Sequence, residues 1–288
     1  MNTPSYILTI RCRDSLGIVA AVTTALAASG ANITESSQFG DSATGLFFMR
    51  SVFGVADPGS TTLDDLRLAL APAAQRFDMQ LALHDASRRM KVMLAVSRHG
   101  HCLNHLLHRW HSNELAVDVV GVVSNHDDMR RLVEWYGLPY HLLPMQVGKP
   151  AQEAQLLERL ASSGTELLVL ARYMQVLSDP LCQQLEGRCI NIHHSFLPSF
   201  KGARPYHQAH ARGVKVVGAT AHYVSAELDE GPIIEQETVR VDHAMDAGAF
   251  VRMGKDVENV VLARAVQWHA EHRVVLNGHR TVVFRHGA

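Results

Sequence analysis

The sequence predicts an α/β protein built from two modules: a small βαββαβ unit, then a larger open sheet of mostly parallel strands. Three observations lead there. The 288 residues suit two domains better than one. Residues 1–85 read as strand, helix, strand, strand, helix, strand. Beyond residue 90, short apolar runs alternate with helical patterns, the appearance of parallel strands joined by crossover helices.

The first strand is set by alternation: Tyr6, Leu8 and Ile10 share one face, with Ile7 and Thr9 on the other. Asp14-Ser15-Leu16-Gly17 then leads into a capped, alanine-rich helix from Ile18 to Ala28, ended by Ser29-Gly30. Asn32 to Phe39 and Leu46 to Phe53 are two further strands, joined through the turn residues Gly40-Asp41-Ser42. A second helix starts at Ser60-Thr61-Thr62 and carries Leu63, Leu66 and Leu70 at helical spacing; Met79 to Leu83 is the last strand. This order is the split-βαβ, ferredoxin-like plan. The polar, basic passage Asp85-Ala86-Ser87-Arg88-Arg89 supplies a linker, so the modules are expected at 1–85 and 91–288, with 86–90 between them.

In the larger module, Val92 to Val96, Val117 to Val123, Leu167 to Leu170 and Cys189 to Ile192 are apolar on both faces, as buried parallel strands require. Helical stretches from His101 to His111, Met129 to Tyr136 and Ala151 to Ser162 lie between them. The expected result is an open, Rossmann-like sheet, which holds its ligand beyond the carboxyl ends of its strands.

Composition narrows the function. A formal net charge of -1 leaves no electrostatic footprint for nucleic acid or an anionic membrane surface. No apolar run approaches the roughly 20 residues that cross a bilayer. The amino terminus lacks the layout of a signal peptide, so a cytoplasmic protein is expected. Cys12, Cys102, Cys182 and Cys189 show no zinc-type spacing and are expected to be reduced, structural thiols. With 18 histidines in the chain, any one of them is weak evidence taken alone.

The most informative run is Cys189-Ile190-Asn191-Ile192-His193-His194-Ser195-Phe196-Leu197-Pro198. Asn191 and His193 sit two apart on a strand, so both point to one face where the strand ends, and Pro198 turns the chain away. His194 falls on the opposite face, which suits a supporting role. About thirty residues on, His222-Tyr223-Val224-Ser225-Ala226-Glu227-Leu228-Asp229-Glu230-Gly231-Pro232 puts acids in a loop between two strands, from which Asp229 can return to the same point. Together these runs resemble the formyltransferase family that handles 10-formyltetrahydrofolate, over roughly residues 90 to 285.

That resemblance implies a catalytic trio. Asn191 and a protonated His193 would donate hydrogen bonds to the oxyanion formed at the formyl carbon. Asp229 would keep His193 charged and orient or deprotonate the attacking molecule. Ala171-Arg172-Tyr173-Met174-Gln175-Val176-Leu177-Ser178 resembles the family segment around the pterin, with Met174 and Leu177 flanking the ring or packing in the core. Ser195, Lys201, Arg204 and His207 complete the expected substrate contacts.

Within the family, transfer to glycinamide ribonucleotide goes with a glycine-rich phosphate loop after the first strand. Here Ser97-Arg98-His99-Gly100-His101-Cys102-Leu103 has a single glycine. That stretch, Val123-Ser124-Asn125-His126 and Phe200-Lys201-Gly202-Ala203-Arg204-Pro205-Tyr206-His207 resemble the deformylase branch, with Arg204 standing where asparagine is expected. The expected reaction is hydrolysis to formate and tetrahydrofolate, in one-carbon and purine metabolism, with no cofactor and no metal. The alternatives are a formyltransferase with an amine acceptor, and a non-enzymatic amino-acid sensor; intact Asn191, His193 and Asp229 weigh against the second.

Arg13-Asp14-Ser15-Leu16-Gly17-Ile18-Val19-Ala20 with Gly30-Ala31-Asn32-Ile33 resembles the ACT family of regulatory domains. This implies an amino-acid effector near Asp14, Gly17, Ile18 and Asn32, and a homodimer or homotetramer paired through that module. It equally allows a module that only oligomerises the enzyme.

Overall fold

The structure, a computed structural model, describes residues 5–56, 61–198 and 205–285. The chain divides into two compact units: Met1–Arg89 with Glu271–Val275 and Val282–Ala288, and Met90–Ala270 with Leu276–Thr281. The sequence assigned everything after residue 90 to the second module. The difference has an electrostatic cause: Arg273 donates from Nη1 to Glu35 Oε1 (2.9 Å), and Arg50 donates from Nη2 to the Glu271 carbonyl (3.0 Å). Charges 238 residues apart are thus paired, which no local pattern can announce.

The first unit contains β1 (Ser5–Arg13), α1 (Ile18–Ala28), β2 (Ala31–Asp41), β3 (Leu46–Val55), α2 (Leu63–Arg76) and β4 (Gln80–Asp85). Its sheet runs β2-β3-β1-β4, antiparallel throughout, which is the ferredoxin-like order. Tyr6, Leu8 and Ile10 face inward with Phe53, Leu66 and Leu70. Burying a side chain such as Leu8 or Phe53 stabilises the unit by roughly 2 kcal/mol. α2 begins at a capping box in which Thr62 Oγ1 accepts from the Asp65 amide and the Asp65 carboxylate accepts from the Thr62 amide. Ser60, part of the expected start, lies outside the described residues. The N-cap of α1 is Gly17 at φ 95, with no side-chain hydrogen bond.

The second unit holds β5 (Met90–Val96), α3 (His101–His111), β6 (Val117–Ser124), α4 (Arg130–Trp135), β7 (Tyr140–Leu142), α5 (Lys149–Ser163), β8 (Leu167–Leu170), α6 (Asp179–Gln184), β9 (Cys189–His193), α7 (Pro205–Arg212), β10 (Val216–Tyr223), β11 (Ile233–Arg240) and α8 (Ala247–Ala270). Its seven strands run β11-β10-β9-β8-β5-β6-β7. β5 to β9 are mutually parallel; β10 is antiparallel to both neighbours. α8 packs across β9, β10 and β11 and against α3 and α7, burying Phe250, Val257, Val261, Leu262 and Val266. A hairpin, β12 (Val274–Asn277) and β13 (Arg280–Val283), ends the described chain. Among the described residues, no helix is long and apolar enough to cross a membrane.

Candidate active site

β9 is wedged between parallel β8 and antiparallel β10, so backbone bonds on both sides fix its register. Asn191 therefore lies directly opposite His222, and His193 opposite Thr220. Directly opposed residues project to the same face of a sheet. Asn191, His193 and His222 thus share one side. After β10 the chain loops out and returns at β11, with the Tyr223 amide donating to the Pro232 carbonyl (2.9 Å) to close the loop. Asp229, at φ 59, occupies the left-handed region that aspartate tolerates better than most residues.

These constraints bring the expected trio together. His193 donates from Nδ1 to Asp229 Oδ2 (3.1 Å), and the pair is almost wholly buried, with side-chain exposures of 5% and 15%. His193 Nε2 is buried and has no hydrogen-bond partner among the described residues. Asn191 Nδ2 donates to His222 Nε2 (3.2 Å), while His222 Nδ1 donates to the Tyr223 carbonyl (2.8 Å). His222 Nε2 also lies 3.8 Å from Asp229 Oδ1. Burial pushes the Asp229 carboxyl up, yet the hydrogen bond and charge of His193, with His222 close by, outweigh it, holding the group well below the usual carboxylate range.

A cavity of about 300 Å³ opens where β8 and β9 end, lined by Asn191, His193, His222 and Asp229 and by residues 172–177. Met174 and Leu177 both line it: Met174 is half exposed, whereas Leu177 is also packed in the core. The 172–174 segment is held by Ser97, whose amide donates to the Arg172 carbonyl (3.1 Å) and whose Oγ accepts from the Met174 amide (2.9 Å) and donates to Asn125 (2.7 Å).

Other expected contacts fall elsewhere. Ser195 is buried beside a second, smaller cavity, and its carbonyl accepts from Thr220 Oγ1 (3.0 Å); the turn after His193 carries it away from the trio. His207 is exposed on α7 and lines neither cavity, because Tyr206 takes the inward-facing position of that turn. Lys201 and Arg204 lie outside the described residues. His194 lines both cavities, its ring 5.1 Å from that of His193; burial, Arg172 and His193 push it down to about 4. In the small unit, Asp14, Gly17 and Asn32 are exposed around the start of α1 and β2, but the Ile18 side chain is buried in the core, since it is the first inward position of α1.

Sequence reasoning missed His222 and Arg172. His222 opens the run in which only the acids were weighed, and strand alternation across β9 and β10 was the available signal. Arg172 follows β8 at φ 66, a turn that its residue type does not advertise. One further cluster merits a metal test: His101, Cys102 and Glu258 bring ligand atoms within 4.8 Å of one another. Arg172, 3.5 Å from Glu258, and the Tyr206 hydroxyl, 2.8 Å from its other oxygen, already balance that carboxylate. Burial also pushes the Cys102 thiol well above its ordinary value, away from the thiolate that binds metals. The group is a partnered carboxylate, poorly suited to a cation.

Fold and site together define a class: a mixed α/β protein in which an amide, an imidazole and a carboxylate meet over an open cavity at the end of a parallel sheet, in a chain that also carries a separate ferredoxin-like unit. Residues 90–266 match the formyl transferase family model, and residues 6–66 match that of the ACT domain. A formyltetrahydrofolate deformylase of Corynebacterium sp. (strain P-1) is 52% identical over 281 residues, covering 97% of this chain and 98% of that one. The crystal structure of a formyltetrahydrofolate deformylase from Pseudomonas syringae pv. tomato str. DC3000 superposes with a TM-score of 0.95 at 46% identity, over 99% of this chain and 96% of that one. Glycinamide ribonucleotide transformylase 1 from Symbiobacterium toebii is similar over only 68% of this chain and 95% of its own, with a TM-score of 0.63 and 30% identity. The chain belongs to the formyl transferase family and, within it, to the formyltetrahydrofolate deformylases.

Proposed function

We propose that the protein hydrolyses 10-formyltetrahydrofolate to formate and tetrahydrofolate, with Asn191, His193 and Asp229 carrying the chemistry. The supporting observation is the asymmetry of His193: Nδ1 is tied to Asp229, while Nε2 stands unpartnered among the described residues, on a ring that lines the cavity. A ring held this way can exchange a proton at one defined atom. Water attacks the formyl carbon as Nε2 takes its proton. Asn191, one amide hydrogen engaged by His222, directs the other at the oxyanion, a contact worth about 3 kcal/mol in comparable sites. The C–N10 bond then breaks, N10 takes the proton from His193, and formic acid leaves as formate after losing its own. Asp229, already a weak base, orients the ring and balances its charge rather than accepting the proton itself. Side chains and water suffice for these steps, so we assign no cofactor.

Met174 and Leu177, which line the cavity, are read as walls of the pterin pocket. No left-handed residue occurs between 97 and 101, and Gly100 has φ -91, so the loop after β5 has none of the alternating backbone that cradles phosphate. This favours water over a ribonucleotide acceptor. We read the ACT module as the site of an amino-acid effector at the start of α1, where Gly17 caps without a side chain and leaves amide groups for a carboxylate. The same module is read as the contact of a homodimer or homotetramer. Calorimetric titration with free amino acids tests the effector: heat with one of them supports it, and none with any leaves a scaffold role.

The deciding assay is incubation of purified protein with 10-formyltetrahydrofolate alone, following tetrahydrofolate. Release without an acceptor is the expected result. Strict dependence on an amine would make the protein a transferase, and silence under both conditions would make it a sensor.

A further inference from the structure

Arg172 lines the same cavity as Asn191, His193 and Asp229, yet the hydrolytic steps leave it idle. It is held there at a cost. A non-glycine residue at φ 66 carries strain of about 1 kcal/mol or more. Its side chain is 10% exposed, and Nε is buried without a hydrogen bond among the described residues, 3.5 Å from Glu258 Oε2. Glu258, on α8, is 1% exposed and accepts from Tyr206 Oη (2.8 Å) and His101 Nε2 (2.7 Å). Burial would raise its carboxyl, but the His101 bond and the Arg172 charge prevail and keep it ionised. Gly254, one turn earlier on α8, leaves room for the Tyr206 ring: a Cβ there would lie 2.1 Å from Tyr206 Cζ. The anchor is therefore built from α3, α7 and α8 together.

We infer that Arg172, positioned by Glu258, restricts the nucleophile to a neutral molecule such as water, by placing a fixed positive charge on the wall of the reaction cavity. The inference rests on the hydrolytic reading above. A primary amine is mostly ammonium near neutral pH. Even after losing that proton it becomes cationic as its nitrogen bonds to the formyl carbon and the C–N10 bond breaks. A guanidinium in a site of low dielectric disfavours both cationic species. Water arrives neutral and gives up its proton to His193 as it bonds, so no cationic nucleophile forms for the guanidinium to oppose. Glu258 offers no competing attraction for an ammonium, since both its oxygens are occupied.

The experiment measures how 10-formyltetrahydrofolate partitions between formate and N-formylglycinamide when glycinamide is supplied at neutral pH. Formate release by the wild type without amine tests the hydrolytic reading separately. Wild type and Arg172→Lys, which keeps the charge, are expected to give formate almost alone. Arg172→Met should raise the N-formylglycinamide to formate ratio by about tenfold or more, the scale of one removed charge contact. Because that change strands Glu258, the double variant Arg172→Met with Glu258→Gln is measured beside it and should show the same shift. An unchanged ratio in the double variant, or a wild type that formylates glycinamide as readily as the variants do, overturns the inference. So does a double variant that circular dichroism shows folded but that yields neither product, since Arg172 would then serve the reaction itself.

Discussion

In the proposed reaction Asp229 works less by basicity than by position: His193 holds its carboxyl low, and it in turn fixes which nitrogen of His193 meets the cavity. Asp229→Asn is expected to lower kcat by about 10³-fold or more with the substrate still bound, read in the tetrahydrofolate assay. The sign of its pH effect follows from the same depression. Its contribution to stability is complete above the unfolded value near 3.9 and is lost as pH falls through the lower folded value. His222→Ala removes the partner that aims the Asn191 amide; kcat should fall about tenfold to a hundredfold while KM moves little, in steady-state kinetics. Asn191, His193 and Asp229 were legible because strand period and a paired motif both pointed to them. His222 was not, since its role exists only through the register of β9 against an antiparallel neighbour.

At the scale of elements, the loop from β10 to β11 depends on one close approach. A Cβ at Gly231 would sit 1.7 Å from the Tyr223 carbonyl oxygen, a backbone atom that cannot swing aside. Gly231→Ala is therefore expected to displace the loop and Asp229 with it, reducing kcat about as severely as Asp229→Asn while leaving the circular dichroism spectrum near that of the wild type. β10 is also locked to α8, where Tyr223 Oη donates to His269 Nδ1 (2.6 Å). Burial holds that imidazole down to about 4, whereas the unfolded chain protonates near 6.5. The stability it lends is full above about pH 6.5 and declines as pH falls toward 4, by up to about 1.4 kcal/mol per unit. His269→Gln should flatten that acid slope in urea titrations. α1 and α3 were legible to the residue, because their apolar stripes are uninterrupted. α8, β7 and α6 were passed over: β7 and α6 are too short for a period to show, and the inward positions Phe250, Val257, Val261 and Val266 of α8 are interleaved with the small residues Gly254 and Ala265 that its crossing requires.

The whole molecule is ordered along the chain only in part. Sequence alone set out two modules and their fold classes, but it could not show the chain returning to the first, because Arg273 and Glu35 each read as an ordinary surface charge. Glu35 lies between two guanidiniums whose side chains are 3% and 4% exposed. Glu35→Gln would leave both cations buried with too little counter-charge. It is expected to destabilise the first unit by about 2 kcal/mol, seen as an earlier transition in urea for probes within residues 1–89. The same arrangement bears on synthesis. A ribosome delivers Glu35 and Arg50 early and Arg273 almost last, so the module encoded at the start of the gene must wait, Glu35 one cation short, until translation is nearly over. A nonsense codon shortly before position 273 would spare every residue of the proposed trio and do its damage at the opposite end of the reading frame.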